Sequence, residues 1–233
     1  MTDQAKPPLQ NLLSRQTLSR DDYHEYISTI LPGTKRLTER ELDSSAQATL
    51  DQRPARGSGV WVFAYGSLIW DSPLLVSSQQ IVTVIGWHRA FCLDNTVGRG
   101  SPERPGLTMA LDAGGECTGV AYHVEEQNLI SEMKILWRRE MPLGTYRPAW
   151  ADARSVEGMP VGPILAFVAD EETTRYVGNM PYRDIVERLK TASGMLGTNA
   201  DYLSYVQVEL GKIGVSDPYI GQLVLDMSKG GSS

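Results

Sequence analysis

Between residues 60 and 70 the sequence VWVFAYGSLIW is apolar on both sides of a single Gly66-Ser67 break. Val60, Val62 and Ala64 alternate with Trp61, Phe63 and Tyr65, so that nearly every position is aromatic or β-branched. Such a run predicts a strand covered on both faces, central in its sheet rather than at an edge. Ending it with Gly-Ser lets backbone approach a ligand and presents N–H donors and a hydroxyl from a rigid element. The same pattern also fits an ordinary β-turn beside a buried tyrosine. Further strand-like runs lie at 80–93, 107–111, 118–124, 146–154 and 164–169. Six short strands with few helices between them predict an α+β chain with a small, closed or strongly curled mixed β-barrel flanked by helices.

Helical spacing marks 21–31 and 38–50, separated by Pro32-Gly33, and Thr38 followed by Glu41 predicts a capping box. Residues 1–57 are richer in charge than the rest of the chain and run into a Pro- and Gly-bearing stretch at 53–59. We therefore read 1–57 as a helical N-terminal extension with its linker and 58–233 as the main domain. Helices are also predicted at 127–141, 182–193, 198–213 and 218–228, with Leu203, Val206, Leu210 and Ile213 as the buried stripe of the third.

The helix at 127–141 carries an anomaly. At 100° per residue Leu129, Met133, Leu136 and Trp137 share one stripe, and Glu140 falls about 20° from it. An acid is thus placed on a core-facing side and also at a helix C-terminus, where the dipole repels negative charge. Both effects raise a carboxyl pKa, as a proton-transfer base near neutrality requires. A Glu snorkelling at a frayed end, or neutralised by an arginine, fits the same pattern. Arg138 and Arg139 point elsewhere, toward a solvated face or a structural ion pair.

Two glycine-bearing loops stand out. GRGSPERPG at 98–106 runs into Pro102 and Pro105 instead of a helix N-terminus, which argues against a dinucleotide cradle. It reads either as a substrate-covering loop carrying Arg99 and Arg104 or as a plain solvated loop. The stretch 112–116, with Gly114-Gly115 between two strand-like runs, reads as a hairpin turn.

Composition narrows the function classes. A chain of 233 residues, 41% hydrophobic, is long enough to bury a substantial core. Its net charge of -6, with no block of Lys and Arg, argues against a nucleic-acid surface. The polar start and the lack of a membrane-length apolar run make a soluble, cytoplasmic protein without membrane attachment the expectation. Cys92 and Cys117 are the only cysteines, and His24, His88 and His123 are scattered, so neither a zinc site nor a Ser-His-Asp arrangement is predicted.

Taken in order, FAYGSLIW, GWHRAFCL, the VGRG loop, GVAYHV, LWRREM and GTNADYL resemble the ChaC type of γ-glutamylcyclotransferase. The resemblance spans roughly 60–213. It implies cleavage of glutathione to 5-oxoproline and cysteinylglycine without metal or cofactor, by attack of the substrate's own α-amine on its γ-carbonyl. By the same resemblance Glu140 is the general acid/base. Tyr65, Gly66, Ser67 and Leu68 hold the γ-glutamyl head group, Tyr146 and Tyr202 line the pocket, and Arg89 is a further substrate-binding candidate. Leu107 stands where the resemblance leads one to expect an arginine. Two alternatives share the head-group pocket: a cyclotransferase for other γ-glutamyl amines or amino acids, and a non-catalytic γ-glutamyl-binding regulatory domain.

Overall fold

The structure, a computed structural model, describes residues 12–229. Three helices come first: α1 (Arg15–Leu18), α2 (Tyr23–Ile30) and α3 (Glu39–Asp51). The predicted capping box is present at the start of α3, where Thr38 Oγ1 accepts from the Glu41 N–H and the Glu41 carboxylate accepts from the Thr38 N–H. The four-residue α1, started by a Ser14 cap, is too short to leave a periodic signal in sequence.

The centre is a closed mixed barrel of β1 (Val60–Ala64), β2 (Ser78–Asn95), β3 (Gly106–Val124), β4 (Tyr146–Ser155) and β5 (Pro160–Ala169). Its order is β1-β3-β2-β4-β5, and β5 closes it by pairing in parallel with β1 and β3. It has five strands instead of the expected six, because the runs at 107–111 and 118–124 are one strand. The expected hairpin turn at 112–116 is a register shift within the β2–β3 ladder, between Ile85 and Trp87. Gly86, Gly114 and Gly115 all take positive φ there, which lets two long strands bend together without parting. The connection of this hairpin is the 96–105 loop.

As its composition predicts, β1 is covered on both faces. Val60, Val62 and Ala64 pack with Leu42 and Leu50 of α3 and with Met133 and Trp137 of α4 (Leu129–Glu140), whereas Phe63 and Tyr65 join the opposite cluster. That second cluster is completed by α5 (Tyr182–Thr191), α6 (Asn199–Lys212) and α7 (Pro218–Ser228), including Leu203, Val206 and Leu210 of the predicted stripe. Cys92 and Cys117 are buried free thiols in different clusters. No helix among the described residues is long and apolar enough to cross a membrane.

The outer side of α4 is covered by the N-terminal helices. Ile135 packs with Leu18, Tyr23 and Ile27, and the buried Glu132 accepts two hydrogen bonds from Arg15 and one from the Leu75 N–H. Arg138, expected on a solvated face or in an ion pair, is in the pair: it is 4% exposed, bound to Glu39 and donating to the Leu18 and Arg20 carbonyls.

Candidate active site

The sequence places Gly66-Ser67 where β1 stops and the chain tightens into a 3-10 turn, Ser67–Ile69. Tyr65 is locked at both ends of its position. Its hydroxyl donates to the Phe167 carbonyl at 2.8 Å, and its own carbonyl accepts from Arg89 Nε at 2.7 Å. A Cβ on Gly66 would stand 3.1 Å from Met109 Cε and 3.2 Å from the Tyr202 hydroxyl, so a bare position is needed for both to close over the turn. The N–H groups of Ser67 and Leu68 donate to no acceptor among the described residues.

Above this floor lies a small cavity of about 30 Å³. Tyr65, Gly66, Ser67, Leu68, Glu140, Tyr146 and Tyr202 all line it, together with Phe63, Met109 and Phe167. Seven of the eight residues singled out in sequence therefore converge, though they come from the turn after β1, from α4, from β4 and from α6. Arg89 lies outside this lining. It is 2% exposed, ion-paired to Asp217 at 2.7 Å and bonded to the Tyr65 and Thr118 carbonyls, so it acts on the turn from behind. Leu107 is also fully buried; Asn199 clamps both its N–H and its carbonyl at 2.7 Å.

Glu140 enters the pocket as the last residue of α4. Its Oε1 accepts from Arg139 Nε at 3.1 Å, and Oε2 has no partner among the described residues. Burial pushes its pKa up against the lowering pull of Arg139, and Asp71 adds a smaller raising effect. The sequence pattern does not single out Arg139. Besides Glu140 it reaches Ser67 Oγ at 3.3 Å, Asp71 at 3.2 Å and the Leu13 carbonyl at 3.3 Å, fixing the acid relative to the turn. Its adjacency to Glu140 is visible in sequence, but side-by-side helical residues diverge, and only the turn folding over α4 brings Ser67 within its reach.

The tyrosines are held neutral. Burial raises the pKa of Tyr65 and Tyr146 well above the ordinary phenol value and pushes that of Tyr202 up to about 12. Tyr146 donates to the Met109 carbonyl at 3.1 Å, whereas the Tyr202 hydroxyl makes no hydrogen bond among the described residues and is available to a ligand. The pocket thus combines one carboxylate of raised pKa with hydroxyl and main-chain donors. The histidines are spent elsewhere: on Glu39 for His24, on the Gly114 carbonyl for His88, and on Ser77 and the Ser58 carbonyl for His123.

Fold and site together define a small mixed barrel whose pocket, set at the end of a central strand, holds one carboxyl group of raised pKa, with no hydroxyl, thiol or imidazole of its lining hydrogen-bonded to that carboxyl group among the described residues. Comparison with known proteins supplies the family. A family model described as ChaC-like protein matches residues 60–229, and the chain belongs to that family. It is 41% identical over 186 residues to the glutathione-specific gamma-glutamylcyclotransferase of Escherichia coli (strain K12), covering 80% of each chain. It is 30% identical to gamma-glutamylcyclotransferase 2-3 of Arabidopsis thaliana, over 70% of this chain and 86% of that one. Among solved structures, a yeast gamma-glutamyl cyclotransferase specific to glutathione superposes with a TM-score of 0.67 at 18% identity, over 74% of this chain and 96% of that one, which establishes a shared fold.

Proposed function

We propose that the protein is a γ-glutamylcyclotransferase acting on glutathione, releasing 5-oxoproline and cysteinylglycine. Family membership and the names of its relatives support the reaction class. The observation that carries the chemistry is Glu140, a carboxylate of raised pKa with one free oxygen, facing a bare Gly66-Ser67 floor.

Nucleophile and electrophile arrive in one molecule. The α-amine nitrogen forms a bond to the γ-carbonyl carbon, and the bond from that carbon to the cysteinyl nitrogen breaks. No Ser, Cys or His nucleophile is required. Well-oriented intramolecular attack reaches effective molarities of ~10⁵ M or more, so the first task is to fold the γ-glutamyl chain into a ring-like pose on the turn. Ser67, Tyr202 and the N–H groups of Ser67 and Leu68 are the donors suited to that head group and to the developing oxyanion. Glu140 takes the proton lost by the α-amine and returns one to the leaving nitrogen, a role worth ~10²- to 10⁴-fold in rate.

Incubation with glutathione is expected to yield 5-oxoproline and cysteinylglycine in equal amounts. Glu140→Gln should lower kcat by at least ~10²-fold with an unchanged circular-dichroism spectrum. Substantial turnover by that variant would sink the acid/base assignment. Running γ-glutamyl-alanine beside glutathione separates this reading from a cyclotransferase for other γ-glutamyl compounds.

A further inference from the structure

The cavity over the Gly66-Ser67 turn, about 30 Å³, is too small for a whole tripeptide, so part of any such substrate must extend beyond it. Two larger cavities open from it. One, of about 500 Å³, meets it at Ser67, Tyr146 and Tyr202. The other, of about 250 Å³, meets it at Ser67, Glu140 and Tyr146 and is mostly apolar. Of the two, only the apolar cavity is lined by Glu140.

This apolar cavity lies between the N-terminal helices and the barrel. Tyr23, Ile27 and Leu31 line it from α2 and its end, Leu93 from β2, and Pro142 and Leu143 from the turn after α4. Its walls are held in place. The Tyr23 hydroxyl donates to the Arg138 carbonyl at 2.7 Å, and Leu93 is fully buried. Most of the charged groups in the lining are spent within the protein: Asp94 on Arg188, Arg36 on the Leu31 carbonyl, Arg138 on Glu39, and Arg139 on Asp71 and Glu140. Arg175 also lines it, and a guanidinium bordering an apolar space favours the face of an aromatic ring.

The chemistry puts one particular group at this mouth. Glu140 returns a proton to the leaving nitrogen, which must therefore sit within its reach, and the next atom is a branch point, the cysteinyl Cα. One branch carries the rest of the peptide; the other is the CH₂–S side chain. A leaving group with two branches meets two cavities, and the apolar one matches the sulfur side. We propose that this cavity is a subsite for a substituent on the cysteinyl sulfur, so that the enzyme also cyclises thioether conjugates of glutathione carrying an apolar group. This assignment rests on the cyclotransferase reading. The step keeps the same balance: the α-amine nitrogen bonds to the γ-carbonyl carbon, the bond from that carbon to the leaving nitrogen breaks, and the proton lost by the amine passes through Glu140 to that nitrogen. The thioether stays intact. An apolar cavity of about 150 Å³ holds a benzene molecule, so a benzyl group has room within about 250 Å³.

The test is steady-state kinetics on glutathione, S-methylglutathione and S-benzylglutathione, following 5-oxoproline. S-methylglutathione, which lacks the thiol but adds little bulk, should behave as glutathione does. S-benzylglutathione should be turned over with a KM lower on the order of tenfold, the gain from burying a ring of that size. Leu143→Trp fills space in this cavity and touches neither of the other two, so it should raise KM for the benzyl compound by a similar factor and leave both constants for glutathione in place. Leu31→Trp, from the α2 side, carries the same comparison if the first variant fails to fold. No 5-oxoproline from S-benzylglutathione, a KM no lower than that of S-methylglutathione, or a KM that neither variant moves would overturn the subsite. Turnover of glutathione in the same assays would leave the cyclotransferase reading standing, whereas no 5-oxoproline from any of the three would overturn both.

Discussion

Glu140 stands at the last position of α4, where the helix dipole, the surrounding side chains and nearby Asp71 all disfavour its charge and only Arg139 favours it. The consequence for stability has a definite sign. A carboxyl whose folded pKa exceeds its unfolded one binds its proton more tightly in the native state, so stability falls as pH rises through the interval between the two. Glu140→Gln removes that penalty while its amide oxygen can still accept from Arg139. The variant should therefore melt above the parent at neutral pH, and the gap should close as pH drops below the ordinary carboxylate value of 4.5. A lower melting temperature at neutral pH, or a gain independent of pH, would contradict this account. The same raised pKa should make the parent's kcat/KM fall on the acid side at a pH above that value, as a general base becomes protonated.

At the scale of elements, α4 is amphipathic in an unusual way. Its inner side is apolar as predicted, while its outer side buries Glu132, Arg138 and Arg139 under α1, α2 and the start of α3. These charges are paired and hydrogen-bonded, the condition under which buried ions persist. Removing one partner is costly because the other stays behind. Glu132→Ala strips Arg15 of a bidentate acceptor and orphans the Leu75 N–H, and should cost about 3 kcal/mol in urea unfolding with an unchanged m-value. A loss below about 0.5 kcal/mol, the size of an ordinary surface change, would show that the network is ornamental.

At the scale of the whole molecule, the N-terminal helices and the barrel share contacts of every kind. Leu42, Ala46 and Leu50 sit in one apolar cluster with β1 and α4, Leu18 and Ile27 pack on Ile135, and the Leu13 carbonyl accepts from the arginine that holds Glu140. The boundary near residue 57 read from composition is thus crossed by core packing and by the site itself. We expect unfolding as one cooperative unit, with tryptophan fluorescence and far-UV circular dichroism giving coincident denaturant transitions. Separated transitions would mean that residues before the barrel fold as an independent layer.

Features that depend on local periodicity and chemistry are legible in the order of amino acids alone. The doubly covered β1, the Thr38 capping box, the breaking glycine at position 66 and the acid on the wrong side of a helix each leave their mark within a few residues. Convergence is another matter. Tyr65, Glu140, Tyr146 and Tyr202 stand out in ordered motifs, but their meeting in one pocket comes from β5 closing the barrel and α6 lying against it. The Gly114-Gly115 pair reads as a turn because two glycines break a strand locally, and only the partner strand's Gly86 allows the ladder to continue through them. Arg139 reads as surface or ion pair because its role depends on Ser67 and Asp71, far away in the chain. Local pattern fixes which groups a segment offers; which of them stay unpaired in a cavity is set by packing between segments distant in sequence.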